Sequence, residues 1–218
     1  QRSSVLNIHW FGNAFAQTSG DCVGWDFEDM WGLNTHGCFV SLTRSHAIRA
    51  RNVNVWSMSR SHANIDDRSE AGSNCMLLED VADSDLGDGC MMGGSPGSIV
   101  RVKLRDAGPA FNNSWFFKLR DGFFFNSLGG DGIEVDECPD SVGIQIMGNR
   151  LDQNFRHGLS ATGTPRMLIA NNVAWFNGFN NPTPHEDYYL GPGCDGTQWG
   201  PNIGTVLNES AGVVGLEA

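Results

Sequence analysis

Two glycine corners in this sequence display ionisable side chains. "GGDGIEVDE", residues 129–137, sets Asp131 ahead of an alternating run, and "RHGLSA" from Arg156 sets an arginine and a histidine ahead of another. A carboxylate beside an imidazole makes a general acid/base pair, and a guanidinium can hold a substrate carboxylate through paired hydrogen bonds. Asp131 and His157 are therefore catalytic candidates, with Arg156 for substrate binding. Asp88, in "GDGCMM" from Gly87, is a third candidate acid. Glu134, Asp136 and Glu137 follow the first corner, and the first two point opposite to inward Ile133 and Val135. Such outward carboxylates could bind substrate, or calcium where several oxygens converge. No other cofactor is called for. The competing reading is that these side chains cap turn amides and keep the surface soluble.

The elements that would position these residues show as an internal repeat. Anchored on the apolar residue after each turn, the copies fall at Cys22, Cys38, Ile65, Cys90, Ile133 and Leu159, with steps mostly of 25 to 27 residues. Polar pairs spaced by five accompany them, such as Asn149 with Asn154 and Asn172 with Asn177, after short β-rich runs such as "GIQIM" and "RMLIA". A period in the twenties with short strands and no helical pattern predicts an all-β, single-stranded parallel β-helix of roughly eight coils. A β-sandwich with similar turns would not repeat the five-residue pair. Stacked anchors would also stack the positions two before them: Gly20, His36, Ala63, Asp88, Asp131 and His157. Asp131 and His157 would then sit on neighbouring coils, and glycine would serve corners that demand positive φ. The expected layout is a solenoid over 1–180, a Pro/Gly-rich loop over 181–204 and a final strand or cap over 205–218.

Composition narrows the partners. The chain has 218 residues and a formal charge of −11, from 25 acidic against 14 basic residues, with no Lys/Arg cluster. That balance argues against nucleic acid or an anionic membrane, and no apolar run approaches the ~20 residues of a membrane span. Six cysteines without CxxC spacing, and a first residue other than Met, point to a processed, secreted chain with disulfides of unassigned pairing. N-x-S sequons at Asn112 and Asn208 agree with secretion. Some of the seven tryptophans could be sugar-stacking platforms, although most should fill core or corners.

The repeat, carried best by "GIQIMGNRLDQNFRHGLSATGTPRMLIANNVAWFNG", resembles the pectin-lyase-like right-handed parallel β-helices. That resemblance implies an enzyme that cleaves an acidic polysaccharide by hydrolysis or β-elimination. "NTHG" at 34–37, "IDD" at 65–67, "GDGCMMGGS" at 87–95 and "FFK" ending at Lys118 resemble, in order and rough spacing, the motifs of polygalacturonases and rhamnogalacturonases. On that likeness His36, Asp67 and Lys118 join Arg156 and Glu134 as substrate-binding candidates. "RHG" followed by "NNVAWFNG" is similar to mannuronan epimerase repeats, and "TPHED" at 183–187 partly echoes their Asp-Pro-His-Glu word, which brings in His185, Tyr188 and Tyr189. A uronate C5-epimerase is thus one alternative. A non-enzymatic tailspike, adhesin or fibre segment, homotrimeric in that case, is the other.

Overall fold

In the computed structural model, residues 3–12, 22–103, 116–139 and 143–215 are described. Gly20, the Asn112 sequon and Trp115 lie outside the described residues. The chain winds as a parallel β-helix with three faces. A partial turn opens it, β1 (Ser3–Leu6) and β2 (His9–Phe11). Two turns follow in which one long strand covers two faces: β3 (Trp25–His36) with β4 (Phe39–Ser41), then β5 (Ile48–Ser59) with β6 (His62–Asn64). Four turns carry three strands each. They are β7 (Met76–Ala82), β8 (Asp85–Asp88), β9 (Met91–Gly93); β10 (Val100–Lys103), β11 (Lys118–Arg120), β12 (Phe123–Phe125); β13 (Ile133–Asp136), β14 (Gln145–Met147), β15 (Arg150–Asp152); and β16 (Leu159–Thr162), β17 (Leu168–Ala170), β18 (Val173–Trp175). The last strands are β19 (Tyr188–Leu190), β20 (Gln198–Trp199) and β21 (Val206–Asn208). Six turns with a partial one at each end replace the eight expected. Segment 181–204 carries β19 and β20, which extend the first two faces, so it continues the solenoid into its last, partial turn.

Strict alternation drives the stacking. In β10, Val100 and Val102 are buried while Arg101 and Lys103 face out, and Ile133 and Val135 repeat the pattern one coil on. Ile48, Met76, Val100, Ile133, Leu159 and Tyr188 stack in register as one column, each buried to within 1 %. Burial of each such side chain is worth roughly 1.5–3 kcal/mol. Trp56, Phe117 and Phe124 fill the wider parts of the interior, and the Trp56 indole N–H donates to Thr35 Oγ1 at 3.0 Å.

Polar stacks hold the corners. Asn149, Asn172 and Asn202 occupy successive coils before the third face. Asn172 Oδ1 accepts from the Asn149 amide at 3.0 Å, and Asn202 Oδ1 accepts from the Asn172 amide at 2.9 Å. After the third face, Asn177 Oδ1 accepts from the Asn154 amide in the same way, at 3.0 Å. These ladders account for two of the five-residue pairs. Two further pairs of that spacing, Asp29 with Asn34 and Asp80 with Asp85, start elsewhere: Asp29 and Asp80, with Asn52, mark the bend between the first two faces, where each adopts φ between 52 and 57°. Short polar side chains tolerate that left-handed region.

The expected single anchor column is two columns. Ile133 and Leu159 begin strands of the first face, whereas Cys38 and Cys90 sit before the third. The column ahead of Ile133 and Leu159 runs His46, Asn74, Ser98, Asp131, His157, Glu186 and excludes His36 and Asp88. Gly132 does not have positive φ either. Its role is close approach, because a Cβ there would lie 2.5 Å from the Gly158 carbonyl of the next coil.

The disulfide framework is not formed, and all six cysteines are thiols. Register explains why. Cys38 and Cys90 share a corner, but the coil carrying Ser61 lies between them and hydrogen-bonds to both. Thr164 separates Cys138 from Cys194 likewise. Two coils are ~9.6 Å apart, beyond the reach of a disulfide.

Candidate functional site

The head of the first face, where the chain turns from the third face into β13, β16 and β19, gathers most of the chemistry. The acid at this turn is spoken for. Asp131 is wholly buried, with Oδ1 accepting from the His157 backbone amide at 2.8 Å and Oδ2 from the Ser160 hydroxyl at 2.7 Å. Arg156 stands 3.4 Å from Oδ2. The Asp131 amide donates to Ser98 Oγ at 3.1 Å, and that hydroxyl donates to Glu134 at 2.5 Å. Asp131 therefore bonds the backbone, not the imidazole, of its neighbour. It holds the turn that aims His157, a positioning role.

The imidazole of His157 turns the other way. Its Nδ1 lies 2.7 Å from the Glu186 carbonyl and must carry the hydrogen, since a carbonyl only accepts. Its Nε2 faces His185 Nδ1 at 3.2 Å. With both rings neutral, His185 donates to His157, and the lone pair of His185 Nε2 is left over. His185 has its pKa lowered, first by burial and then by positive charge on His157 and Arg156, with Asp131 opposing. Tyr189 stacks on His157, ring centroids 5.2 Å apart at 19°. Its hydroxyl donates to Glu209 at 2.8 Å, and that bond is the largest cause holding the phenol protonated above its ordinary range.

A groove of about 330 Å³ adjoins this cluster, lined by Asn74, Ser98, Arg101, Glu134 and Arg156 with glycines between. Arg101 ties Glu134 at 3.5 Å and Asp136 at 2.8 Å. The outward carboxylates thus face a guanidinium, and among the described residues no three His, Cys, Asp or Glu gather as a metal site.

Of the eight residues picked from sequence, Asp131, His157, Arg156 and Glu134 come together. The other four do not. Asp88 is exposed at the end of β8, Lys118 is exposed on β11 of the second face, and Asp67 is exposed in the turn after β6 beside Arg68. His36 ends β3, with Nδ1 2.9 Å from Ser59 Oγ. His185 and Tyr189 complete the cluster, and the signal for them was the "TPHED" word. Ser160 and Glu209 had no signal, because each acts through a neighbour from another coil.

No protein-family model matches the chain, and no curated protein matches it in sequence. Among solved structures it is similar to the catalytic domain of a GH87 alpha-1,3-glucanase in complex with nigerose, with 9% identity and a TM-score of 0.61 over 95% of this chain and 41% of that one. It is also similar to the A-module of the Azotobacter vinelandii mannuronan C-5 epimerase AlgE6, with 13% identity and a TM-score of 0.60 over 96% of this chain and 54% of that one. The chain spans about half the length of these structures. Both neighbours are polysaccharide-acting enzymes by name, and at such identities the likeness establishes the parallel β-helix fold.

Proposed function

We propose that the chain acts on an acidic polysaccharide at the head of the first face, by removing the proton next to a uronate carboxyl. The observation that carries this is the relay from the Glu186 carbonyl through His157 to His185, which leaves one imidazole nitrogen as a base beside a guanidinium and a phenol. In this reading Arg156 binds the substrate carboxylate and stabilises the enediolate that forms on it, His185 Nε2 takes the proton, and Tyr189, once its hydroxyl turns from Glu209 to the substrate, offers a phenol O–H. Protonation of the leaving glycosidic oxygen gives β-elimination. Return of a proton to the opposite face of the same carbon gives a C5 epimer.

Hydrolysis has less support, since an inverting pair needs two carboxylates ~6.5–9.5 Å apart across the bond and Asp88 and Asp67 stand on different parts of the coil. One observation favours a binding-only segment instead: Asp131 is wholly taken up in turn hydrogen bonds. A substrate of this class would be met outside the cell. Incubation with mannuronan and polygalacturonate, followed by absorbance of unsaturated products and by proton NMR for epimerised residues, tests the reading. Either signal, lost in His185→Ala, is the expected result; new reducing ends without unsaturation would mean hydrolysis, and no change in either polymer would remove the enzymatic reading.

A further inference from the structure

The third face carries an aromatic ledge that the candidate site does not use. Alternation buries Phe124 and turns Phe123 and Phe125 outward, and the registers place them beside Arg150 and beside Asp152 and Trp175 on the following coils. The two phenylalanine rings lie 4.6 Å apart at 23°. A Cβ on Gly93 would sit 2.8 Å from the Phe125 ring, so glycine in β9 makes room for it. The Arg150 guanidinium lies 4.8 Å from the Phe123 centroid and 6.0 Å from that of Trp175. Trp175 is 47% exposed. His9, Phe39 and His62 continue the stripe on earlier coils.

Charge separates this face from the rest of the molecule. The chain has 25 acidic residues against 14 basic, yet among the described outward positions of the seven third-face strands the one acid is Asp152. It is 6% exposed and bonded through Oδ2 to Arg150 at 2.8 Å. Its Oδ1 accepts no hydrogen bond within the described residues, an acceptor left over beneath the ledge. The first face, by contrast, turns Asp26, Glu28, Glu134 and Asp136 outward among its cations.

We infer that this ledge is a second, non-catalytic binding surface for an acidic polysaccharide, an inference that rests on the substrate class proposed above. The C–H faces of pyranose rings stack on Trp175 and Phe125, as sugars do on aromatic side chains. A uronate carboxylate pairs with Arg150, whose guanidinium is pre-oriented by the flanking rings and by Asp152. Strands here repeat every ~4.8 Å, close to the length of one pyranose unit, so neighbouring units can meet neighbouring coils.

The test measures mannuronan and polygalacturonate binding by affinity electrophoresis and titration calorimetry, using His185→Ala as the background so that turnover cannot interfere. Trp175→Ala, a change at an exposed ring, should weaken binding about tenfold with the melting temperature held. Arg150→Gln should weaken it similarly and flatten its salt dependence. Unchanged affinity in both variants overturns the ledge, while turnover by the otherwise native chain would leave the first-face reading standing. Equal binding of a neutral alpha-1,3-glucan overturns the acidic assignment. Loss of binding in Trp175→Ala, together with no turnover of any polyuronide by the native chain, would keep the ledge and remove the catalytic reading.

Discussion

The backbone amide of His157 donates to Asp131 Oδ1 at 2.8 Å across one coil of the solenoid, and the two side chains otherwise part company. The carboxylate is fixed in the corner while the imidazole reaches outward to Glu186 and His185. Acid and histidine thus do different jobs: one shapes the turn, the other joins a hydrogen-bonded chain from the Glu186 carbonyl to His185.

Asp131→Ala should therefore behave as a stability variant. It strips the acceptor from the His157 amide and the Ser160 hydroxyl and leaves Arg156 without its carboxylate. Breaking such a buried, charge-assisted set costs about 3 kcal/mol or more. Urea unfolding should show that loss, with a smaller one for Asp131→Asn, which keeps an acceptor oxygen. Unchanged unfolding midpoints would contradict the positioning role.

His185→Gln should do the reverse. The side chain is half-buried and its removal leaves the coil ladders intact, so the melting temperature should hold. Loss of a general base is worth about 10²–10⁴-fold in rate. A fall of that size in turnover of the polyuronide substrate is the expected readout.

The pH profile follows from the sign of the shift. A base works unprotonated, and His185 is held below the ordinary 6.5 by burial and nearby positive charge. Activity should persist as pH falls through 6.5 and be lost only below it. The acid limb of kcat/KM against pH measures this, and a limb above 6.5 would contradict His185 as the base.

The asparagine ladder offers a prediction remote from the site. Asn172 donates to the Ile146 carbonyl at 2.9 Å and accepts from both nitrogens of Asn149. Asn172→Ala leaves those groups unsatisfied in a buried corner, at about 1–3 kcal/mol. Asn172→Asp removes the donor and buries a charge, so thermal melting should rank it at least as damaging.

The thiols should resist alkylation. Burial pushes Cys75 up to about 12 and Cys90 up to about 11, which suppresses the reactive thiolate. Iodoacetamide should reach half-buried Cys22 before the other five in native protein, and a reductant should leave the melting temperature unchanged.

By itself the sequence determined the coil. Alternation in "IEVD" and "VRVK", glycine corners and recurring asparagines are local signals, and a parallel β-helix repeats local structure at each turn, so its period is written along the chain. The neighbour relation of Asp131 and His157 was legible for the same reason, since one period of 26 residues separates their coils. What the tertiary structure alone decided was which corner each repeat belonged to and which way each side chain faced. Cys38 and Ile133 look alike after a glycine but begin different faces, and that shift moved His36 and Asp88 away from the site. Coil lengths vary, since β10 ends at Lys103 and β11 starts at Lys118 whereas β7 ends at Ala82 and β8 starts at Asp85, so counting residues loses the corner that hydrogen-bond register keeps. His185 and Tyr189 entered the site through that register, because β19 pairs with β16 and brings a segment rich in proline and glycine against His157.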